Sequence, residues 1–227
     1  MNKEKNLWKN SKRLILLGIV LFFYNTIFCQ QGINISAEIS NLKSKNIAKK
    51  FSAIEKLAKS KDKRAIIELK KELKTQKNKF VRTKIIESFS YFQDPDTAKE
   101  LVEMAKTETD PNVKYVVVYS LGYNKDVSAE PILIDIFLNE KEDIGVRLQA
   151  ANSLTYYPPN EDIYQCFVKA TKDKNPKIKA QALTSLSLSF GTKKEVVDIL
   201  KQSLKDEDEI VKKTAKERLE FLGVKTE

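Results

Sequence analysis

The sequence predicts an all-α fold, a solenoid in which about six copies of one helix pair are stacked. Three observations lead to this prediction: a set of residues recurs about every 32 positions, apolar residues within each copy follow helical spacing, and helix formers dominate. The 227 residues include only six Gly and six Pro, too few for a fold of many tight turns. Three segments are expected: a signal peptide at 1–29, a cap or half repeat at 30–45, and the solenoid at 46–227.

The first segment has the form of an export signal. Five basic residues within the first 13 precede an apolar run from Leu14 to Tyr24. A basic stretch followed by so short an apolar run is typical of a secretory signal peptide, whereas a membrane span needs about 20 apolar residues. An uncleaved N-terminal anchor is the alternative. We therefore expect an exported protein of the periplasm or cell envelope.

Cys29 gives the end of this leader two interpretations. Cleavage after Cys29 would leave Gln30 as the first residue of the mature chain. In the other interpretation, residues 26–29 are a degenerate lipobox and Cys29 carries a lipid, although the bulky Phe28 argues against it. Removing 1–29 takes five basic residues from 41 and one acidic residue from 31, which leaves 36 and 30, a net charge of +6. Solvated helix faces account for this mild excess without a polyanionic partner.

Self-comparison of the chain shows six copies of one pattern. Each copy begins with Asn or Asp, at intervals of 32, 32, 33, 32 and 33 residues: Asn46, Asn78, Asp110, Asp143, Asn175 and Asp208. Three residues later comes an aliphatic residue, replaced by Lys49 in the first copy, and the next residue is always basic: Lys50, Arg82, Lys114, Arg147, Lys179 and Lys212. With the aliphatic position counted as zero, further apolar columns stand at +4 and +8.

The columns have the chemistry of a helix that begins at the Asn or Asp. These side chains accept hydrogen bonds from the free N–H groups of a first turn, and Pro111 and Pro176 directly follow two of them, where a missing N–H costs little. Positions 0, +4 and +8 line one helix face. A second set of helices is predicted between them, at Ala65–Leu73, Thr97–Ala105, Ala129–Leu138, Asp162–Ala170 and Lys194–Leu204. Because one pair cannot bury its own apolar face, the pairs must stack.

Two segments, DPNVK at 110–114 and DIGVRLQAA at 143–151, resemble the HEAT repeat, in particular the bacterial HEAT-like repeats of phycobilisome lyases. The resemblance covers about residues 46–222. It implies a right-handed superhelix with the capped helices on the concave surface. It also implies that the Asn/Asp and Lys/Arg columns form a structural ladder, which caps helices and bonds neighbouring repeats. Such repeats serve many unrelated tasks, so the resemblance is specific for fold alone.

Tyr115, Tyr119 and Tyr123 stand at +2, +6 and +10 of the third copy. Because +2 and +6 are mostly polar in other copies, Tyr115 and Tyr119 are expected to face solvent. Beside Leu148 and Asn152 of the next copy they would form a partner-binding step, since tyrosine is favoured at interfaces. The alternative is that both tyrosines only cover neighbouring side chains. The +10 column is expected to pack at the turn between helices instead: Lys59, Tyr91, Tyr123, Tyr156, Leu188 and Phe221.

Residues that perform chemistry are scarce. The chain has no His, which removes the commonest general base and metal ligand, and two Cys are too few for a disulfide framework or a zinc site. Cys166 lies among apolar residues and is expected to be a buried thiol without an activating base. The acidic run 206–209 is typical of a solvated turn before a helix. No catalytic residue, metal or cofactor is therefore predicted.

The expected function is that of a non-catalytic scaffold or adaptor, which binds a protein or peptide on its concave surface. The resemblance implies two alternatives. A lyase-type enzyme would need a pigment system in the same compartment. A nucleic-acid-binding protein is disfavoured by export, by the modest charge and by the lack of tryptophan after the leader. HEAT-like proteins also include an iron-dependent hydroxylase, but its His-Glu metal pairs have no counterpart in a chain without His.

Overall fold

A computed structural model describes residues 33–225 of the chain. This part consists of α-helices, two short 3-10 helices and turns, and it contains no strand. The predicted signal peptide and Cys29 lie outside the described residues. Between residues 33 and 225, no helix combines the length and the apolar character that crossing a membrane requires.

Within the described residues, twelve α-helices form six consecutive pairs joined by short turns. The first helices of the pairs are α1 (Ile35–Asn41), α3 (Lys63–Thr75), α5 (Pro95–Thr107), α7 (Glu130–Leu138), α9 (Glu161–Ala170) and α11 (Lys194–Ser203). The second helices are α2 (Ile47–Ser60), α4 (Lys79–Ser88), α6 (Pro111–Asn124), α8 (Ile144–Leu154), α10 (Pro176–Phe190) and α12 (Glu209–Phe221). A 3-10 turn, Phe89–Tyr91, extends α4, and another, Val127–Ala129, precedes α7. The all-helical repeat architecture predicted from the sequence is confirmed.

The pairs stack so that the first helices form one layer and the second helices another. Consecutive second helices pack closely, α6 against α8 above all, whereas consecutive first helices touch only slightly. The layer with the closer spacing lies on the inside of a curved stack. The second helices, which begin at the Asn or Asp column, therefore line the inner, concave side.

Residues of both layers meet in one core. The prediction that the 0, +4 and +8 columns of the second helices are buried is confirmed, because every apolar residue in them is at most 7% exposed. The first helices contribute the other wall, for example Ala65, Leu69 and Leu73 from α3. A single apolar cluster runs from Ile35 to Leu219 without interruption between pairs. Each repeat is therefore stabilised mainly by its neighbours.

A further buried column, at +7, was missed by the sequence-based prediction. It contains Ser88, Ser120, Ser153 and Ser185, all at most 4% exposed. At 100° per residue, position +7 lies only 20° from the centre of the core face. Ser120 donates to the Ile86 carbonyl (2.9 Å) and Ser153 to the Val118 carbonyl (2.9 Å), each on the preceding second helix. Small residues permit this approach, since a Cβ on Gly122 would come within 2.5 Å of the Ser153 Oγ.

Leu154 offers a test of the continuous core. Its side chain is fully buried in α8, in the middle of the stack. We expect Leu154→Ala to lower the free energy of unfolding by about 2–5 kcal/mol, because it leaves a cavity that both neighbouring pairs line. Chemical denaturation measures this change. Leu188→Ala in α10 is the control: its side chain is 55% exposed, and the expected loss is below about 0.5 kcal/mol. Equal losses for the two variants would contradict the assignment of Leu154 to the core.

Candidate functional site

Every second helix begins at one of the six Asn or Asp residues. In each case the side-chain oxygen accepts a hydrogen bond from a backbone N–H two or three residues further on, at 2.8–3.4 Å. The free N–H groups of a first turn are thereby satisfied. Asn46, Asn78, Asp110, Asp143, Asn175 and Asp208 are therefore engaged with their own helices.

A second polar column stands just before these caps, and the sequence-based prediction missed it. One of its oxygens accepts the backbone N–H of the cap residue itself, at 2.8–3.2 Å, in all six copies: Ser44, Gln76, Glu108, Glu142, Asp173 and Asp206. Five of the six stand two positions before the cap and Glu142 one position before it. That spacing was visible in the sequence. Its meaning depends on a bond to the main chain, which a comparison of side chains does not reveal.

The basic column connects consecutive repeats through these acceptors. Lys114 donates to Glu142 (2.5 Å), Arg147 to Asp173, and Lys179 to Asp206 (2.8 Å), each time on the turn before the next second helix. The Nε of Arg147 also donates to the Phe137 carbonyl (2.8 Å).

The same column is engaged in the remaining copies. Lys50 binds Glu72 (2.7 Å) and Arg82 donates to the Leu73 carbonyl (2.9 Å). Lys212 pairs with Glu209 of its own helix, since no further repeat follows it in the described part of the chain. The ladder thus binds the protein to itself and leaves no row of free cations.

Asp206 illustrates the electrostatics of this ladder. Burial acts to raise the pKa of Asp206, but hydrogen bonds from Lys179 and from the N–H of Asp208 outweigh it. The pKa of the carboxyl therefore lies below its ordinary value. The ionised form is the one that joins the two repeats, so acid weakens this connection as the pH falls through the lowered pKa.

The Arg147–Asp173 pair gives a test of the ladder. Both side chains are nearly inaccessible, 3% and 8% exposed. We expect Arg147→Met to cost about 3–5 kcal/mol of unfolding free energy, because it leaves a buried carboxylate unpaired. Lys174→Met is the matched control in the exposed pair Lys174–Glu140, whose side chains are 87% and 58% exposed, and its loss should stay within about 1 kcal/mol. Urea denaturation compares the two. A loss for Arg147→Met as small as that of the control would show that the pair does not hold the repeats together.

Three tyrosines meet on the inner surface. The Tyr119 and Tyr123 rings lie 4.7 Å apart, and the Tyr123 and Tyr156 rings 5.1 Å apart (centroid distances), so the group crosses from one repeat to the next. Burial, and next the Tyr123 hydroxyl, raise the pKa of Tyr119 to about 12. The Tyr123 hydroxyl is also the main cause of the raised pKa of Tyr156. We call Tyr119, Tyr123 and Tyr156 the tyrosine cluster.

The four residues expected to form a binding step have different positions in the structure. Tyr115 is 43% exposed on the inner side of α6. Tyr119 is half-buried in the tyrosine cluster. Leu148 packs against the core and is only partly accessible. Asn152 is exposed and accepts a hydrogen bond from Gln181 of the next repeat (2.9 Å). The structure thus joins Tyr119 to Tyr123 and Tyr156 more closely than to Leu148 or Asn152.

The prediction that the +10 column packs at the turn is wrong. Its five aromatic and aliphatic members are 40–60% exposed: Tyr91, Tyr123, Tyr156, Leu188 and Phe221. The reason is angular. Position +10 lies 40° from +6 and 80° from the centre of the core face, so it shares the solvent-facing side. We call these five residues the apolar edge, because they occur at the same position of five consecutive second helices.

Cys166 is not placed to act as a nucleophile. It is 3% exposed in α9, and burial raises the pKa of its thiol to about 12. At pH 8 about one thiol in ten thousand would then be ionised. In the described residues no group of three or more Cys, Asp or Glu converges to hold a metal ion.

Thiol labelling tests this environment. We expect Cys166 to resist an aromatic disulfide reagent at pH 8 in the folded protein and to react at once in denaturant, because unfolding restores both access and an ordinary pKa. The difference in labelling between wild type and Cys166→Ser isolates this thiol from Cys29. Rapid labelling of Cys166 in native buffer would contradict the burial.

The stacked pairs, the ladder between them and the exposed inner face define an α-solenoid of helical repeats. The chain belongs to the HEAT repeat family: the sequence profile of HEAT repeats matches residues 36–122 and 130–220. No curated protein matches the sequence significantly.

Several solved structures share the fold. YibA of Escherichia coli is 16% identical with a TM-score of 0.59, over 97% of this chain and 76% of that one. The complex of CpcE and CpcF of phycocyanin lyase from a Nostoc species is 15% identical with a TM-score of 0.56, over 84% of this chain and 77% of that one. An engineered protein is 17% identical with a TM-score of 0.51, over 84% and 96%. At such identities the likeness shows the fold alone.

Proposed function

We propose that this chain is a non-catalytic adaptor of the cell envelope, which binds a protein or peptide partner on its concave surface. One observation carries the proposal. Of thirteen large hydrophobic side chains that are exposed in the described residues, ten lie on the second helices or directly after them. Exposed apolar surface that is concentrated on one side marks an interaction site. Tyrosine is suited to such a site because it buries a large area at small entropic cost.

The outer layer has the opposite character. The first helices present charged side chains to solvent, for instance Lys99, Glu103 and Lys106 on α5. Such a surface stays hydrated and discourages association. The partner is therefore expected on the inner surface, where the tyrosine cluster and the apolar edge lie.

A non-catalytic role is supported by the residues available. The sequence holds no His, and the buried Cys166 thiol lacks an activating base. The name phycocyanin lyase belongs to a structure whose 15% identity transfers no activity to this chain. Nucleic-acid binding receives no support from the ladder, because Lys114 and Lys179 are committed to carboxylates and are only 13% and 17% exposed. Location in the envelope rests on the leader sequence alone.

Affinity capture from native envelope extract tests the proposal. The baits are the full chain, the double variant Tyr115→Ala/Tyr119→Ala, and the control Ile67→Ala, whose side chain is 51% exposed on the outer helix α3. We expect one partner to be captured by wild type and by the control. The tyrosine variant should capture it at least about tenfold less, because it loses exposed aromatic anchors.

Matched thermal unfolding curves must accompany the capture, so that lost binding is not lost folding. A partner retained by the tyrosine variant would remove these two residues from the site and keep the adaptor role. No partner for any bait, or a partner that only Ile67→Ala loses, would contradict binding on the inner surface.

A further inference from the structure

The apolar edge is continuous across five repeats. Its members stand at one position of helices whose register is fixed by the ladder, and the rings of Tyr123 and Tyr156 are in contact across the repeat boundary at 5.1 Å. Exposure rises toward the C-terminal end, from 40% at Tyr123 to 55% at Leu188 and 60% at Phe221. A surface of this kind can contact a long segment of partner rather than a single side chain.

The charges around the edge favour an uncharged partner. In α6, α8 and α10, the +2, +6 and +10 columns contain no charged residue. The charged residues that these columns hold in the other copies are paired: Glu55 with Lys59 at 2.6 Å, Glu87 with Lys84 at 3.0 Å, and Lys213 with Glu217 at 3.9 Å. A charged ligand placed here would lose hydration without gaining a free counter-charge. Charge complementarity therefore selects a neutral segment.

The chemistry of the edge favours a polypeptide over a sugar chain. The tyrosine hydroxyls could serve either ligand. Leu188 and Phe221, however, offer no hydrogen-bonding group, so sugar hydroxyls lying on them would be left unsatisfied. At the other end, Tyr91 lines a hollow of about 570 Å³. Its apolar walls include Ile66, Ile67 and Phe92, and its charged residues, Lys61, Lys63, Asp94 and Asp96, balance in sign. Bulky apolar side chains fit both ends.

The length of the edge sets the size of the segment. Packed helices lie about 8–10 Å apart, so the four steps from Tyr91 to Phe221 span roughly 30–40 Å. An extended chain rises about 3.3 Å per residue, and roughly 10–12 residues cover that distance. We propose that the apolar edge binds an extended, uncharged polypeptide segment of about this length that carries bulky apolar side chains. This inference rests on the proposed adaptor function and adds the chemistry of the partner to it.

A phage-displayed library of random peptides of about 12 residues, selected on the immobilised full chain, is the probe. We expect the selected sequences to be enriched in Leu, Ile, Phe, Tyr and Trp and depleted in Asp, Glu, Lys and Arg. Selected peptides, synthesised with a fluorescent label, should bind the variant Leu188→Ser/Phe221→Ser about tenfold more weakly or worse, because two exposed anchors are lost. The matched control is Ile67→Ser/Val127→Ser, whose side chains are 51% and 66% exposed away from the inner face. Its affinity should match that of wild type.

Each other result has a definite meaning. Selection of charged peptides, or binding that Tyr115→Ala/Tyr119→Ala abolishes and Leu188→Ser/Phe221→Ser leaves intact, overturns the inference and leaves the adaptor function standing. Self-association of the chain that the edge variant alone disrupts also overturns it, since the occupant is then a second copy. Selection of no peptide at all overturns it as well, while the envelope capture decides independently whether the chain is an adaptor.

Discussion

The contact between consecutive second helices governs the rest of this structure. A single helix pair has too little apolar surface to bury on its own, so each pair depends on the next. The ladder makes that dependence specific. Arg147 reaches the Asp173 carboxylate on the turn before the following second helix, and Asp173 in turn accepts the N–H of the Asn175 cap. One buried cation therefore fixes both where the next helix begins and how it is placed on its neighbour.

The ladder also determines which surface remains for binding. Positions 0, +4 and +8 are consumed by the core, +7 by serine bonds between helices, and the basic column by ion pairs. On the inner side this leaves the +2, +6 and +10 columns. Substitutions there touch neither the core columns nor the ladder, so aromatic residues can collect without loss of the fold. The same scaffold can in this way present different surfaces, which is why membership of the HEAT family does not specify a partner.

Sequence periodicity was sufficient for the framework and insufficient for the contacts. The six caps and the three apolar columns follow from helical geometry, so their burial and their hydrogen bonds could be expected from spacing alone. The +10 column shows an error of reasoning: the angle of 100° per residue placed Tyr156 and Phe221 beside +6, and their apolar character was given more weight than their position. The Tyr119–Tyr123–Tyr156 contact is different. It depends on the stagger between α6 and α8, which the close approach at Gly122 and Ser153 sets. No single helix contains that information.

The ends of the stack explain why the aromatic surface lies in its middle. In the first copy the core position is occupied by Lys49 and the edge position by Lys59, both exposed. In the last helix, Lys213, Lys216, Glu217 and Glu220 face solvent. A helix at either end has a neighbour on one side only, so it must be soluble where the middle helices are covered, and it is held less firmly. Between the ends, α6, α8 and α10 are fixed from both sides. The uncharged face that spans these three helices is consequently the most rigidly positioned part of the inner surface. Rigid positioning lowers the ordering cost of binding, and this favours a site at the centre of the solenoid over one at its termini.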